Sequence, residues 1–268
     1  MCFVGSYATS PNNWALENPK DGVPVDAGRE AAFYAGLADI PDCSGLEVQC
    51  DMAGNLHAFD EESFLAKWAH PRWSAVITCI GGTMGNVGAS AVFGLASTDD
   101  AGRRSALDFA RLAQQAVGRW NARGDGSGGR VVAIAIHSAP NTTKEGSSAS
   151  VEAFAASLQE MQSWDWQGAA LVVEHCDSAE GARLRQHAAS KGFLTMPEEV
   201  AAVKMALAAS TNPQTAAPLG VSVNWARSVL ETRDVTTPLE HLRLAREAGV
   251  LRGLIFSGCT DLAQENCP

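Results

Sequence analysis

Leu171-Val172-Val173-Glu174-His175-Cys176-Asp177 joins a short apolar run to a carboxylate, an imidazole, a thiol and a second carboxylate. A carboxylate in a partly desolvated site can accept a proton from carbon or ligate a divalent cation. Imidazole can serve as acid, base or ligand near neutral pH. Proteins built on parallel strands gather such groups at the carboxyl ends of the strands. Other apolar runs here end in the same way. The run Arg130–Ile136 leads into His137, and Gly220–Asn224 closes on Asn224 with Arg227 just beyond. Glu47 lies inside the run Gly45–Gln49, and Ser257 follows Gly253–Phe256. Side chains alternate along a strand, so Glu174 and His175 cannot both face inward. Val172 and Glu174 share one face, which sends Glu174 toward the interior and leaves His175 as a sideways supporting partner.

These placements make Glu174 and His137 the candidate acid/base pair. Asn224, Arg227, His175, Lys191 and Glu47 are the candidate substrate-binding groups, and Glu174 is also the candidate metal ligand. Arg227, Arg233 and Lys191 are cations suited to a carboxylate or phosphate. Cys176 reads as a packing residue and Asp177 as a loop anchor. His57, His70, His187 and His241 fall in turns or helices and receive no role. The run Gly81–Gly88 lacks the Lys-Ser/Thr of a phosphate-binding loop and reads as a mobile loop over the mouth.

The elements that would position these residues alternate between strand and helix. Strands are expected at Cys2–Tyr7, Gly45–Gln49, Ser74–Ile80, Arg130–Ile136, from Leu171, at Gly220–Asn224 and at Gly253–Phe256. The helix from about Asp26 to Asp39 would bury Phe33, Gly36, Leu37 and Ile40. Later helices open near Asp60, at Ser97 with Asp100, at the capping box of Thr195 and Glu198, and at Thr237-Pro238-Leu239-Glu240. The last of these ends at Gly249. A longer loop is expected over Ser178–Leu194, and Trp164-Asp165-Trp166 reads as packing at the end opposite the mouth. Continuous apolar strands suit a parallel sheet covered on both sides. Seven such units without a linker predict an α/β fold of the (β/α)8 TIM-barrel type, one domain over residues 1–268; since only the polar stretch Thr260–Pro268 remains for an eighth strand, either the last strand-helix unit is absent or two strands read here as one.

The 268-residue chain carries a net charge of −10, which disfavours nucleic acid and anionic membranes as partners. No apolar run reaches the length of a membrane span. The seven cysteines form no CxxC pair, which fits a reduced, cytoplasmic setting. The expected partner is a small polar metabolite, and a homo-oligomer is allowed.

Gly81-Gly82-Thr83-Met84-Gly85, His137-Ser138-Ala139-Pro140, Val173–Asp177, Lys191-Gly192-Phe193-Leu194 and Ser222–Ser228 together resemble the family called domain of unknown function 4862, over nearly the whole chain. The resemblance implies a xylose-isomerase-like TIM barrel, a group that includes sugar isomerases, epimerases and apurinic endonucleases. It implies one divalent metal ion held by strand-end carboxylates and a histidine, with Glu174 at the strand-five position. The usual ligand set is incomplete, since strand six offers Asn224 and strand seven Ser257. Three readings stay open. The first is a sugar or sugar-phosphate isomerase or epimerase using Glu174 and His137. The second is a lyase or hydrolase on a carbohydrate-like ligand, pairing Glu174 with Glu47 or Glu231. The third is a non-catalytic binding barrel.

Overall fold

Alternation of period two within the apolar runs, and helical stripes between them, resolve into an α/β fold in a computed structural model of the chain. The structure describes residues 1–17, 19–184, 188–210, 214 and 216–258. In chain order the elements are β1 (Cys2–Gly5), α1 (Pro11–Glu17), α2 (Ala27–Ala38), β2 (Cys43–Gln49) and α3 (Glu61–Ser63, extended by a wider turn over Phe64–Trp68). Next come β3 (Ser74–Thr78), α4 (Ile80–Ala89), α5 (Asp100–Asn121), β4 (Val131–Ile136), α6 (Val151–Gln162) and β5 (Ala170–His175). The chain continues with α7 (Ala179–Leu184), α8 (Met196–Ala209), β6 (Leu219–Asn224), α9 (Trp225–Thr232), α10 (Thr237–Glu247) and β7 (Leu251–Ile255).

The seven strands form one curled parallel sheet in the order β1 to β7. The expected barrel thus appears as seven strands among the described residues; the stretch 260–268 lies outside them. Leu46, Val48, Ala75, Ile77, Ile134, Ile136, Leu171, Val173, Leu219, Val221 and Val223 join the core formed with the helices. Their neighbours along the strands therefore line the other, concave face: Glu47, Thr78, Ala135, Val172, Glu174, Ser222 and Asn224. Burying each large core side chain, such as Trp73, Trp120 or Phe154, stabilises the fold by about 1.5–3 kcal/mol. No helix among the described residues is long and apolar enough to cross a membrane.

Local chemistry sets the helix starts. Asp26 accepts from the Gly28 and Arg29 amides at 2.7 and 3.0 Å, and Asp60 accepts from Ser63 at 2.8 Å. Thr195 and Glu198 form a reciprocal capping box at the head of α8.

Several expectations need correction. Gly81–Gly88 is not a loop; it lies within α4. Its glycines serve close packing, since a Cβ on Gly82 would fall 2.3 Å from Phe109 Cζ and one on Gly85 2.4 Å from Met52 Sδ. The helix expected from Ser97 starts at Asp100, because Asp99 takes the Gly102 amide at 2.7 Å while Ser97 bridges to Ala149. Thr237 is already helical, and Thr236 before it makes no side-chain cap. Phe33 and Leu37 of α2 pack against the core as expected, but its fully buried residues are Glu30 and Tyr34, and Ile40 beyond it is exposed. Residues 179–184 of the expected loop form α7, while β1 is shorter than predicted and β7 begins two residues earlier. Trp164 and Trp166 stack at 5.8 Å just before β5, at the end of the strand away from Glu174.

Candidate active site

Strand alternation divides the polar residues of β5 between two sides of the sheet. Glu174 pairs in register with Ser222 of β6 and faces the concave side. Its Oε2 lies 3.1 Å from His137 Nε2, at the end of β4. Asn224 Nδ2, at the end of β6, donates to Glu174 Oε1 at 2.8 Å. The Asn224 carbonyl oxygen accepts from the Arg227 amide at 3.3 Å and from Ser257 Oγ at 3.4 Å. One amide therefore caps α9 and holds the carboxylate. Glu47 reaches the same side from β2, where it pairs with Gly5 of β1.

Environment splits the two carboxyls. Burial pushes the pKa of Glu174 up, but the His137 contact and the Asn224 donor outweigh it and hold the group below its ordinary value. For Glu47 burial, reinforced by the Glu174 charge, raises the value to about 7. One carboxylate is thus kept ionised beside one that can be neutral near pH 7. Tyr7 joins them, and burial together with both carboxylates raises its phenol above the usual range. The cluster keeps unspent capacity. His137 Nδ1, Ser222 Oγ and Asp177 Oδ1 are buried without a hydrogen-bond partner among the described residues.

Metal-ligand atoms of His137, Glu174 and Cys176 lie within 4.8 Å of one another. This donor set fits a sugar-isomerase cation poorly. Hard divalent cations take oxygen ligands, and here only Glu174 supplies a carboxylate oxygen. Burial raises the Cys176 thiol well above its ordinary value, opposing the thiolate a metal would need. Asn224 spends its amide on Glu174, and Ser257 spends its hydroxyl on Asn224.

His175 faces the helices and builds a different cluster. Its Nδ1 lies 2.8 Å from Glu199 of α8 and its Nε2 lies 2.9 Å from Glu231 of α9. Ser138 Oγ donates to the other Glu199 oxygen at 2.5 Å, and Ser178 Oγ donates to Glu231 at 2.8 Å. The His241 ring of α10 meets His175 edge-on at 4.6 Å. Burial alone would lower the His175 pKa, yet the two carboxylates raise it to about 10. Burial and the His175 charge push His241 down to about 4.

The structure thus brings Glu174, His137, Asn224 and Glu47 together, with Arg227 and Lys191 at their edge. It sets His175 among the helices, away from the concave face. Glu231 belongs to that second cluster, so it is not a partner carboxylate for Glu174. Arg233 caps the far end of α9 in a left-handed conformation, away from Arg227. His187 lies outside the described residues. Glu199 is not singled out in the sequence, Glu231 is expected there at the Glu174 site and His241 is given no role, although a signal for this second cluster exists. Glu199 sits on the stripe of Met196, Val200 and Val203, and Glu231 shares the buried face of α9 with Ser228. A carboxylate on an apolar stripe predicts a buried partner. His57 is likewise committed, to the buried Glu30 at 2.8 Å.

Residues 3–268 match the family described as Domain of unknown function (DUF4862). The chain is 35% identical over 233 residues to an uncharacterised protein of Salmonella typhimurium, covering 86% of this chain and 67% of that protein. The crystal structure of 3-keto-D-glucoside 4-epimerase, YcjR, from E. coli in its apo form is similar with a TM-score of 0.50. Identity there is 10%, over 88% of this chain and 75% of the other, so the likeness concerns the fold alone.

Proposed function

This chain belongs to the family described as Domain of unknown function (DUF4862), and we propose that it is a sugar isomerase or epimerase whose base is Glu174. The observation that carries this reading is the Glu174–Glu47 pair, one carboxyl held ionised and the other raised to about 7 on one concave surface. Titratable neighbours whose values are driven apart suit an acid and a base. Glu174 takes the proton from the carbon next to a sugar carbonyl. The electron pair moves to the carbonyl oxygen, which takes its proton from Glu47, giving a neutral enediol. In the return step the protonated Glu174 gives its proton to carbon while the Glu47 carboxylate takes one enediol hydroxyl proton. Protonating the former carbonyl carbon with loss of the second hydroxyl proton isomerises the sugar, and protonating the other face of the original carbon with loss of the first hydroxyl proton epimerises it. His137 and Asn224 fix the Glu174 carboxylate, and no step passes through a metal. Likeness of fold to the E. coli epimerase supports the substrate class.

Hydrogen–deuterium exchange tests this. Incubation of the protein with a panel of aldoses, ketoses and keto-glucosides in D2O should label the carbon beside the carbonyl of at least one of them. Bond cleavage without such labelling would instead favour a glycoside-cleaving use of the same two carboxylates.

A further inference from the structure

Two cations lie at the edge of this cluster without a carboxylate in hydrogen-bond contact with either head group among the described residues. Asp177 follows Cys176 at the end of β5 and is 1% exposed. Its Oδ2 accepts the Lys191 backbone amide at 2.8 Å, which spends that oxygen on the chain and not on the ammonium. Its Oδ1 stands 3.8 Å from Arg227 Nη1, beyond hydrogen-bond distance. Arg227 also reaches Ser190 Oγ at 3.5 Å, at the limit of a hydrogen bond. The Lys191 ammonium has no hydrogen bond or ion pair among the described residues, although its side chain is only partly exposed. Burial, and then the charge of Arg227, lower its pKa.

A desolvated ammonium beside a guanidinium is costly unless an anion joins them. With Glu174 counted beside Asp177 the corner is neutral overall, but among the described residues no carboxylate oxygen comes within hydrogen-bond distance of the Lys191 ammonium or the Arg227 guanidinium, so both keep donors that an oxyanion can take. Arg227 follows Asn224 by three residues on the first turn of α9, so this cationic corner and the Glu174 carboxylate are built on the same β6–α9 junction. We propose that Lys191 and Arg227 form an oxyanion subsite, and that the substrate is an anionic sugar carrying a carboxylate or phosphate remote from the carbon Glu174 addresses. The ionised Glu174 repels the oxyanion from the reacting end and so sets the direction in which the sugar lies. This extends the isomerase reading, because it names the class of sugar.

Titration calorimetry on the full chain with glucuronate, glucose 6-phosphate and neutral glucose tests the subsite. At least one anion should bind about tenfold or more tightly than glucose, the worth of one charge-assisted contact. Whichever anion shows the larger margin identifies carboxylate or phosphate. Lys191→Met should erase the margin by weakening the anions far more than glucose, and Lys191→Arg should retain it. The Lys191 side chain makes no hydrogen bond among the described residues, so neither change should disturb folding. Equal affinity for all three sugars, no binding of either anion, or a margin untouched by Lys191→Met would overturn the proposal. Glu174→Gln should keep the anion margin. Proton exchange on neutral sugars without an anion margin would therefore remove the subsite and leave the isomerase, whereas a margin without exchange would do the reverse.

Discussion

Glu174 and His175 are adjacent on one strand, and each sits in a cluster of carboxylate and imidazole, yet the two clusters are built to different ends. The His175 cluster is closed. Both ring nitrogens meet carboxylates, and serine hydroxyls take the remaining oxygens of those carboxylates. The Glu174 cluster is open. It leaves His137 Nδ1 and Ser222 Oγ unspent among the described residues, and it drives the pKa values of two carboxyls apart, Glu174 down and Glu47 up. Groups that only hold a fold can be satisfied completely, whereas groups that bind a substrate must keep capacity for it.

The comparison breaks most easily at His175. Replacing it with Leu strands Glu199 and Glu231 against each other in the protein interior. We expect a loss of about 3–5 kcal/mol, read by chemical denaturation. A loss below about 1 kcal/mol would mean that the closed cluster does not hold the helices.

Glu47→Gln should come next. A neutral acid at this position makes activity fall as pH rises through about 7. The substitution should remove that limb and lower the rate by about 10²-fold. A pH–rate profile of unchanged shape would exclude Glu47 as the acid.

Stability should separate the clusters by pH. The folded-state pKa of His175 is raised from 6.5 to about 10, so its contribution is complete below pH 6.5 and is lost as pH rises toward 10. That decline is best read between pH 6.5 and 9.0, before the raised thiols of Cys79 and Cys176 begin to matter. The Glu47 value is raised from 4.5 to about 7, so its contribution is complete below 4.5 and lost through 7. His241, lowered from 6.5 to about 4, opposes this by losing stability as pH falls. The difference between the native chain and Glu47→Gln isolates the Glu47 part. Denaturation midpoints across these ranges should differ between the two proteins only in the lower window, where Glu47→Gln gains stability more steeply than the native chain as pH rises from 4.5 to 7.

The smallest effect belongs to Asn224→Ala. It removes the cap of α9 and the donor to Glu174, which should cost about 1 kcal/mol and raise the pH at which activity first appears. Thermal unfolding and the acid limb of the rate check the two parts separately.

Much of this was legible in the residues. The strand count, the concave position of Glu174 and the capping box at Thr195 and Glu198 follow from alternation and local chemistry. Glycine chemistry misled at Gly81–Gly88, because the close approach of Phe109 and Met52 comes from distant segments and leaves no local mark. The partners of His175 were hidden for a related reason. Glu199 and Glu231 reach it across 24 and 56 residues of sequence. Their place on apolar stripes was visible, but the topology alone chooses which strand residue they meet.

Glu174→Gln tests the central claim most directly when exchange and stability are measured on the same protein. The account predicts that deuterium incorporation beside the sugar carbonyl falls by about 10²–10⁴-fold, while the unfolding free energy stays within about 1 kcal/mol of the native chain. Retained exchange, or a loss of stability as large as that expected for His175→Leu, would contradict it.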